Sequence, residues 1–316
     1  SDWEAEAETS LKALFHRMDD LLRDPQNAPE LASLKNGAQP EDDGEESATQ
    51  RRATAREALE LFQRMMVTQS NRVSAAAADD AAEALSLDNT KKKDDKVVGS
   101  AGPTPSNAAA SPSAAPVVVN GGRRHCELPD HPLQAGCTAV VVFARRTRLY
   151  CANAGDSRAV LSRRGLAVAL SKDHKPNDEP EERRVLRAGG FVECANGFHR
   201  INGNLNLSRS IGDLKYKGNA TLSPADQIIT AEPDVVAVDL AEDDDFFVVA
   251  CDGVFDVLTS QELVDFINER IHTMDLARIC EAVFDRCIAQ NPRETRGIGG
   301  DNMTCVIAKI HHNGLT

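Results

Sequence analysis

"DDDFFVVACDGVFDVLT", residues 243–259, holds the question that decides the fold. The run over 246–250 is short, rich in Phe and Val, and bounded by charge, which predicts a buried strand. It ends in Asp252 and Gly253, with Asp256 three positions on. A carboxylate at the mouth of an apolar strand is costly unless a cation or hydrogen-bond donors meet it. Asp252, Gly253 and Asp256 therefore call for a partner from elsewhere in the chain.

Working outward, Thr259 and Glu262 form a capping-box pattern at the start of "SQELVDFINERIH". The next helix places Leu276, Ile279, Cys280, Val283, Phe284, Cys287 and Ile288 on one face, so both cysteines read as core. "MTCVIAKI" closes as a strand. Upstream, "GCTAVVVFA" and "TRLYCANAG" read as adjacent strands turning at Arg145 and Arg146. "SRAVLSRRGLAVAL" reads as a hairpin turning at Arg164 and Gly165, and "EPDVVAVDL" as a further strand. "EPEERRVLRAGG" reads as a short helix stopped by Gly189 and Gly190. Strands come mostly in hairpins, and two helices follow one another late. This predicts an α+β fold of antiparallel sheets covered by helices.

Before this region the composition changes. Trp3, Ala7, Leu11, Leu14, Phe15, Met18, Leu21 and Leu22 recur at helical spacing, predicting an amphipathic helix over 2–23 that ends before Pro25. Residues 26–125 read as a low-complexity, largely disordered insertion. One island within it, "TAREALELFQRMM" at 54–66, puts Leu59, Phe62, Met65 and Met66 on one helical face, suited to docking on the body or to a protein partner. The organisation expected is thus an N-terminal helix at 1–25, the insertion at 26–125, and the main domain at 126–316. The 316 residues open with Ser1 rather than Met, so a fragment or processed product is expected.

A net charge of −13 and a pI near 5.1 argue against a nucleic-acid or anionic-membrane surface. No apolar stretch is long enough to span a bilayer. Eight scattered cysteines without a C-x-x-C pair suggest reduced thiols, hence a cytoplasmic or nuclear location.

Four acidic sites share one grammar, an apolar strand with Asp at its mouth beside small or amide residues. They are Asp156 in "ANAGDSRAV", Asp252 and Asp256 in "ACDGVFD", and Asp301 in "GIGGDNMTCVI". Hard cations such as Mg²⁺ and Mn²⁺ take carboxylate oxygens and water. Each Asp also has a local reading: Asp156 as a turn residue, Asp256 as a cap, Asp301 as an Asx turn before Asn302. The fourfold recurrence favours a shared acidic cluster.

"GCTAVVVF", "CANAGDSRAVL", "KDHKPNDEPEERRVLRAGGFV", "NLNLSRSIGD", "ITAEPDVV", "FFVVACDGVFDVLT" and "GGDNMTCVIAKI" occur in that order. Over roughly residues 136–310 the chain resembles the C-terminal two-thirds of the metal-dependent Ser/Thr protein phosphatases of type 2C. The resemblance implies a four-layer α-β-β-α sandwich of two antiparallel sheets flanked by helices, here with the N-terminal strands missing. It implies hydrolysis of phosphoserine and phosphothreonine on proteins by a water nucleophile, with two Mg²⁺ or Mn²⁺ ions and a possible third, in a monomer. Asp252 and Asp301 match the family's ligands to the second catalytic ion. Asp156, with Asp252 and Asp256, matches the weaker third site. "DHKPNDEPEERRVLRAGG" corresponds to the mobile flap beside the cleft. Ser208, Arg209 and Asp213 read as scaffold, with Arg209 a buried ion-pair partner.

The family's phosphate-binding Arg, its acidic motif and its Asp-Gly-His-Gly-Gly strand, which carries the bridging Asp and the general-acid His, have no counterpart in this sequence. "NGGRRH" at 120–125 lacks the Asp and falls at the wrong place in the order. Two readings follow: a portion of a complete phosphatase, or a pseudophosphatase-like binding or regulatory module. Among the remaining residues, His174 reads as structural and His311 and His312 as a tail feature. Arg183, Arg184 and Arg187 with Glu181 and Glu182 read as a solvated, mixed-charge face.

Overall fold

The structure, a computed structural model, describes residues 2–36, 117–120, 123–126, 134–195 and 197–312. The 54–66 segment lies outside them. The chain divides into two compact units, Ser1–Ala32 with Ser111–Thr316, and Ser33–Ala110. Of the second unit only residues 33–36 are described, as the end of a helix.

In chain order the helices are α1 (Asp2–Arg23), α2 (Ala28–Asn36), α3 (Glu179–Arg187), α4 (Asp252–Phe255), α5 (Ser260–Asn268) and α6 (Leu276–Cys287). The strands run from a hairpin of β1 (Val117–Asn120) and β2 (Arg123–Cys126) to β3 (Gly136–Cys137), β4 (Ala139–Arg145) and β5 (Arg148–Ala154). They continue with β6 (Arg158–Arg163), β7 (Leu166–Ala169), β8 (Val192–Ala195), β9 (Phe198–Ile201) and β10 (Ile211–Gly212). The last are β11 (Asp234–Asp239), β12 (Asp244–Ala250) and β13 (Cys305–Lys309).

Two antiparallel sheets organise the larger unit, a three-stranded one in the order β11-β5-β4 and a four-stranded one in the order β13-β12-β6-β7. Successive side chains on a strand point to opposite faces, and that period of two builds the layers. Leu149 and Cys151 of β5 meet Ala159 and Leu161 of β6 and Phe247 and Val249 of β12, which fills the space between the sheets. The intervening residues Tyr150, Ala152 and Ala154 turn outward onto Leu11 and Phe15 of α1. On the other sheet Val160, Phe246, Val248 and Ala250 turn outward onto Leu263, Val264 and Ile267 of α5 and Ile279 and Val283 of α6. The result is helix, sheet, sheet, helix, the α+β sandwich expected. Each fully buried Leu, Ile, Val or Phe in these layers contributes about 1.5–3 kcal/mol.

Most local readings hold. The β6–β7 hairpin turns at Arg164 (φ 54°) and Gly165 (φ 72°), a pair of left-handed residues matched to strand twist. The β4–β5 turn falls one residue later than expected, at Arg146 and Thr147, because Arg145 pairs with Arg148. "GCTAVVVFA" is not one strand. Gly136 and Cys137 pair with β10, and β4 begins after Thr138. Glycine is required at 136, since a Cβ there would lie 2.1 Å from Asp213 Oδ2. Thr259 and Glu262 form the capping box of α5 as read.

A smaller layer of α3, β8 and β9 packs around its own core of Val185, Phe191, Ile201, Tyr216, Ile228 and Ile229.

Candidate functional site

β12 delivers Asp252 to the first residue of α4, and one turn later the Asp256 N–H donates to the Asp252 carbonyl at 2.7 Å. The two carboxylates therefore share a face, while Asp256 also serves as the C-cap of that turn. The loop after Gly300 is knitted against them. Cys251 N–H donates to the Thr304 carbonyl at 3.1 Å, and Thr304 N–H points to Cys251 Sγ at 3.1 Å. Gly253 makes this closeness attainable, because a Cβ there would lie 2.3 Å from the Asn302 carbonyl oxygen. Asp301 is thereby brought beside Asp252, while its Oδ1 accepts the N–H of the next residue, Asn302, at 2.7 Å rather than the N–H two residues on that an Asx turn would use.

Asp156 arrives from the other sheet, just past the end of β5, and is buried. Its Oδ2 accepts a 2.7 Å bond from Lys175 Nζ. The four carboxylates share one field. Burial raises the Asp252 carboxyl above its ordinary value, and the charges of Asp156, Asp301 and Asp256 raise it further. Burial likewise raises Asp256; Lys175 opposes this, while Asp156, Asp301 and Asp173 add to it. Gathered like charge adds to the effect of burial in this way.

The set is all carboxylate, which fits a hard divalent cation in kind. The spacing is looser. Among the described residues no three His, Cys, Asp or Glu side chains converge closely enough to hold one ion. Lys175 is a cation seated against Asp156. Sequence reasoning passed over it, because a lysine between His174 and Pro176 in a charged stretch resembles solvated surface. Arg158 and Asp173 were passed over for the same reason. Arg158 Nε and Nη2 each lie 2.9 Å from an Asp173 carboxylate oxygen, and the guanidinium packs 4.5 Å above the Phe255 ring.

The remaining candidates take structural roles. His174 is buried; its Nδ1 accepts the Gly155 N–H at 3.2 Å, so its Nε2–H faces Asp234 Oδ2 at 3.1 Å. That hydrogen bond, with Arg209, holds the Asp234 carboxyl below its usual range against the effect of burial. Arg209 pairs with Glu181 Oε1 at 2.6 Å and with Asp234 Oδ1 at 2.8 Å, the ion-pair role read from sequence. Asp213, in the left-handed region at φ 49°, accepts the Ser210 hydroxyl at 2.7 Å. His312 Nε2 ties to the Asp244 carbonyl at 2.8 Å.

One expectation is overturned. Glu181 and Arg184 do not form a solvated face, for both are buried. Arg184 Nη1 meets Glu181 Oε2 at 2.6 Å, and Ser208 Oγ approaches the same oxygen at 2.6 Å. Arg184 Nη2 also donates to the Ser208 carbonyl. A charged pair tolerates burial when its lone pairs and protons are all met in this way. Arg183, Arg187 and Glu182 remain exposed as expected.

The protein phosphatase 2C family matches this chain over residues 41–295. The Arabidopsis thaliana "Probable protein phosphatase 2C 21" is 50% identical over 177 residues, which cover 56% of this chain and 48% of that protein. "Protein phosphatase 2C homolog 3" of Schizosaccharomyces pombe is 49% identical over 185 residues, covering 58% and 43%. Among solved structures, a phosphatase from a pathogenic strain of Toxoplasma gondii is 31% identical over 52% of this chain and 50% of that one, with a TM-score of 0.43. The chain spans about half the length of the curated relatives it matches. With its family matched across most of its length, the chain belongs to the protein phosphatase 2C family.

Proposed function

We propose that this chain is part of a metal-dependent Ser/Thr protein phosphatase and carries the carboxylate half of its catalytic centre. Asp252 and Asp301 would hold one catalytic Mg²⁺ or Mn²⁺, and Asp156, Asp252 and Asp256 a weaker further ion. Bound there, the ions supply an activated water for in-line attack at phosphorus and neutralise phosphoryl charge. The chain's own task is positioning. Gly253 and the Asn302 carbonyl let the two loops close on each other. Arg158 and Asp173 brace α4 through Phe255, and the His174–Asp234–Arg209–Glu181 frame fixes the flap helix α3 beside the cluster. Phosphoproteins are the substrates this reading implies, in the cytoplasm or nucleus, with no nucleic acid or membrane partner.

The observation that supports the reading is the gathering of four carboxylates, Asp156, Asp252, Asp256 and Asp301, whose charges add to burial in raising Asp252 and Asp256. The test is phosphate release from a phosphothreonine peptide by the 316-residue chain with Mn²⁺ or Mg²⁺, beside D252A. Metal-dependent turnover that disappears in D252A means that these carboxylates suffice for catalysis. A folded chain without turnover means either a portion of the phosphatase that lacks the remaining catalytic groups, or the second reading, a binding or regulatory module without catalysis. One observation supports that alternative: Lys175 neutralises Asp156 from within the chain.

A further inference from the structure

The Asp156 side chain is 4% exposed, and the cation against it is the Lys175 ammonium, 2.7 Å from Oδ2 and itself 36% exposed. The lysine is held in place by its backbone. The Asp178 N–H donates to its carbonyl at 3.1 Å where the chain enters α3. Its neighbour His174 donates its own N–H to the Gly155 carbonyl at 3.0 Å and accepts the Gly155 N–H at its ring. The flap segment thus delivers one fixed positive charge among Asp156, Asp173 and Asp256.

We propose that Lys175 is a built-in counter-ion that a divalent cation must displace to bind at Asp156, Asp252 and Asp256. Lys175 therefore sets how weakly that site binds. This explains why the carboxylates share a field without converging on ion-holding spacing: an ammonium accepts one oxygen at hydrogen-bond distance, whereas an ion gathers several. The inference rests on the metal reading above and deepens it.

The test uses the 316-residue chain with Mn²⁺ alone as probe, followed by isothermal titration and by the Mn²⁺-induced rise in melting temperature. Without metal, Lys175→Met is expected to melt lower than the native chain, because Asp156 loses its partner. It is expected to bind Mn²⁺ about tenfold more tightly at the weaker site, the scale on which one neighbouring charge shifts a carboxylate. Lys175→Arg restores native affinity, and D156N/K175M erases the gain. Should Lys175→Met fail to fold, Lys175→Gln, which keeps a hydrogen bond without the charge, makes the same comparison. Unchanged or weaker Mn²⁺ binding in the neutral variants, with D252A still abolishing binding, overturns the role of Lys175 and leaves the metal reading standing. If neither the folded native chain nor the neutral variants bind Mn²⁺, both fall.

Discussion

Gly253 shows how one missing methyl group can hold a site together. Its Cβ position is occupied by backbone, the Asn302 carbonyl, which cannot rotate away. Gly253→Ala must therefore push the 301–304 loop off α4, at a cost of about 1–3 kcal/mol typical of overpacking. Because Asp301 rides on that loop, Mn²⁺ affinity should fall together with the melting temperature, and titration beside a thermal melt checks both. Asp252→Asn should act in the opposite sense on stability. It removes one charge from a like-charged pair one helical turn apart, worth about 0.2–0.5 kcal/mol. Without metal the variant should melt slightly higher than the native chain, yet lose the Mn²⁺-induced rise. A D252N chain that is less stable without metal would show that Asp252 is a structural cap rather than a strained member of the cluster. Asp252 was legible in sequence because its flanks are so apolar that a carboxylate there demanded a reason. Lys175 was not, since its partner lies 19 residues upstream and nothing in "KDHKP" distinguishes an inward ammonium from a solvated one.

At the scale of elements, strands and hairpins were the legible part, because alternation and turn residues are local signals. What local pattern could not convey is visible in α3. Glu181 and Arg184 stand three apart, the spacing of an ordinary surface pair, and only Ser208 and Arg209 from a distant segment reveal that the pair is buried. Burial pushes the Glu181 carboxyl up, but Arg209, Arg184 and Ser208 outweigh it and hold it near 2, below an ordinary value of 4.5. A depressed carboxyl stabilises the fold above its unfolded pKa, and that stability is lost as pH falls through the folded value. Glu181→Gln leaves two arginines facing a neutral amide, a loss of about 3–5 kcal/mol for breaking a buried pair. Denaturant melts should show the full difference at about pH 6–7, where the carboxyl is ionised in both folded and unfolded chains, narrowing as pH falls from about 4.5 toward about 2. A gap between native and variant that stays constant across that range would mean the ion pair is not what anchors α3.

The whole molecule depends on a contact that spans most of the chain. α1 closes the outer face of the three-stranded sheet by placing Leu11 and Phe15 on Tyr150, Ala152 and Ala154. The apolar stripe of α1 foretold a buried face but not which sheet it covers. That choice is fixed by polar contacts at long range: His16 Nε2 to Glu232 Oε2 at 2.6 Å, and Lys217 Nζ to Asp19 Oδ2 at 2.6 Å. The second pair is buried, and both partners are shared. Asp19 Oδ1 accepts the Gly212 N–H, and Lys217 also donates to the Ser210 carbonyl. Burial lowers the Lys217 pKa, and Asp19 is the largest influence opposing it. Asp19→Ala should therefore cost about 3–5 kcal/mol, the loss expected when a buried cation is left alone. The double variant D19L/K217M, which removes both charges and restores apolar volume, should cost much less than the sum of its single changes. A double-mutant cycle by denaturant unfolding measures this directly. Strictly additive costs would mean that α1 is held by its apolar stripe alone and that the buried pair only fills space. A large coupling would mean that the pair selects the docking position of the helix, which the stripe by itself leaves free to slide along the sheet.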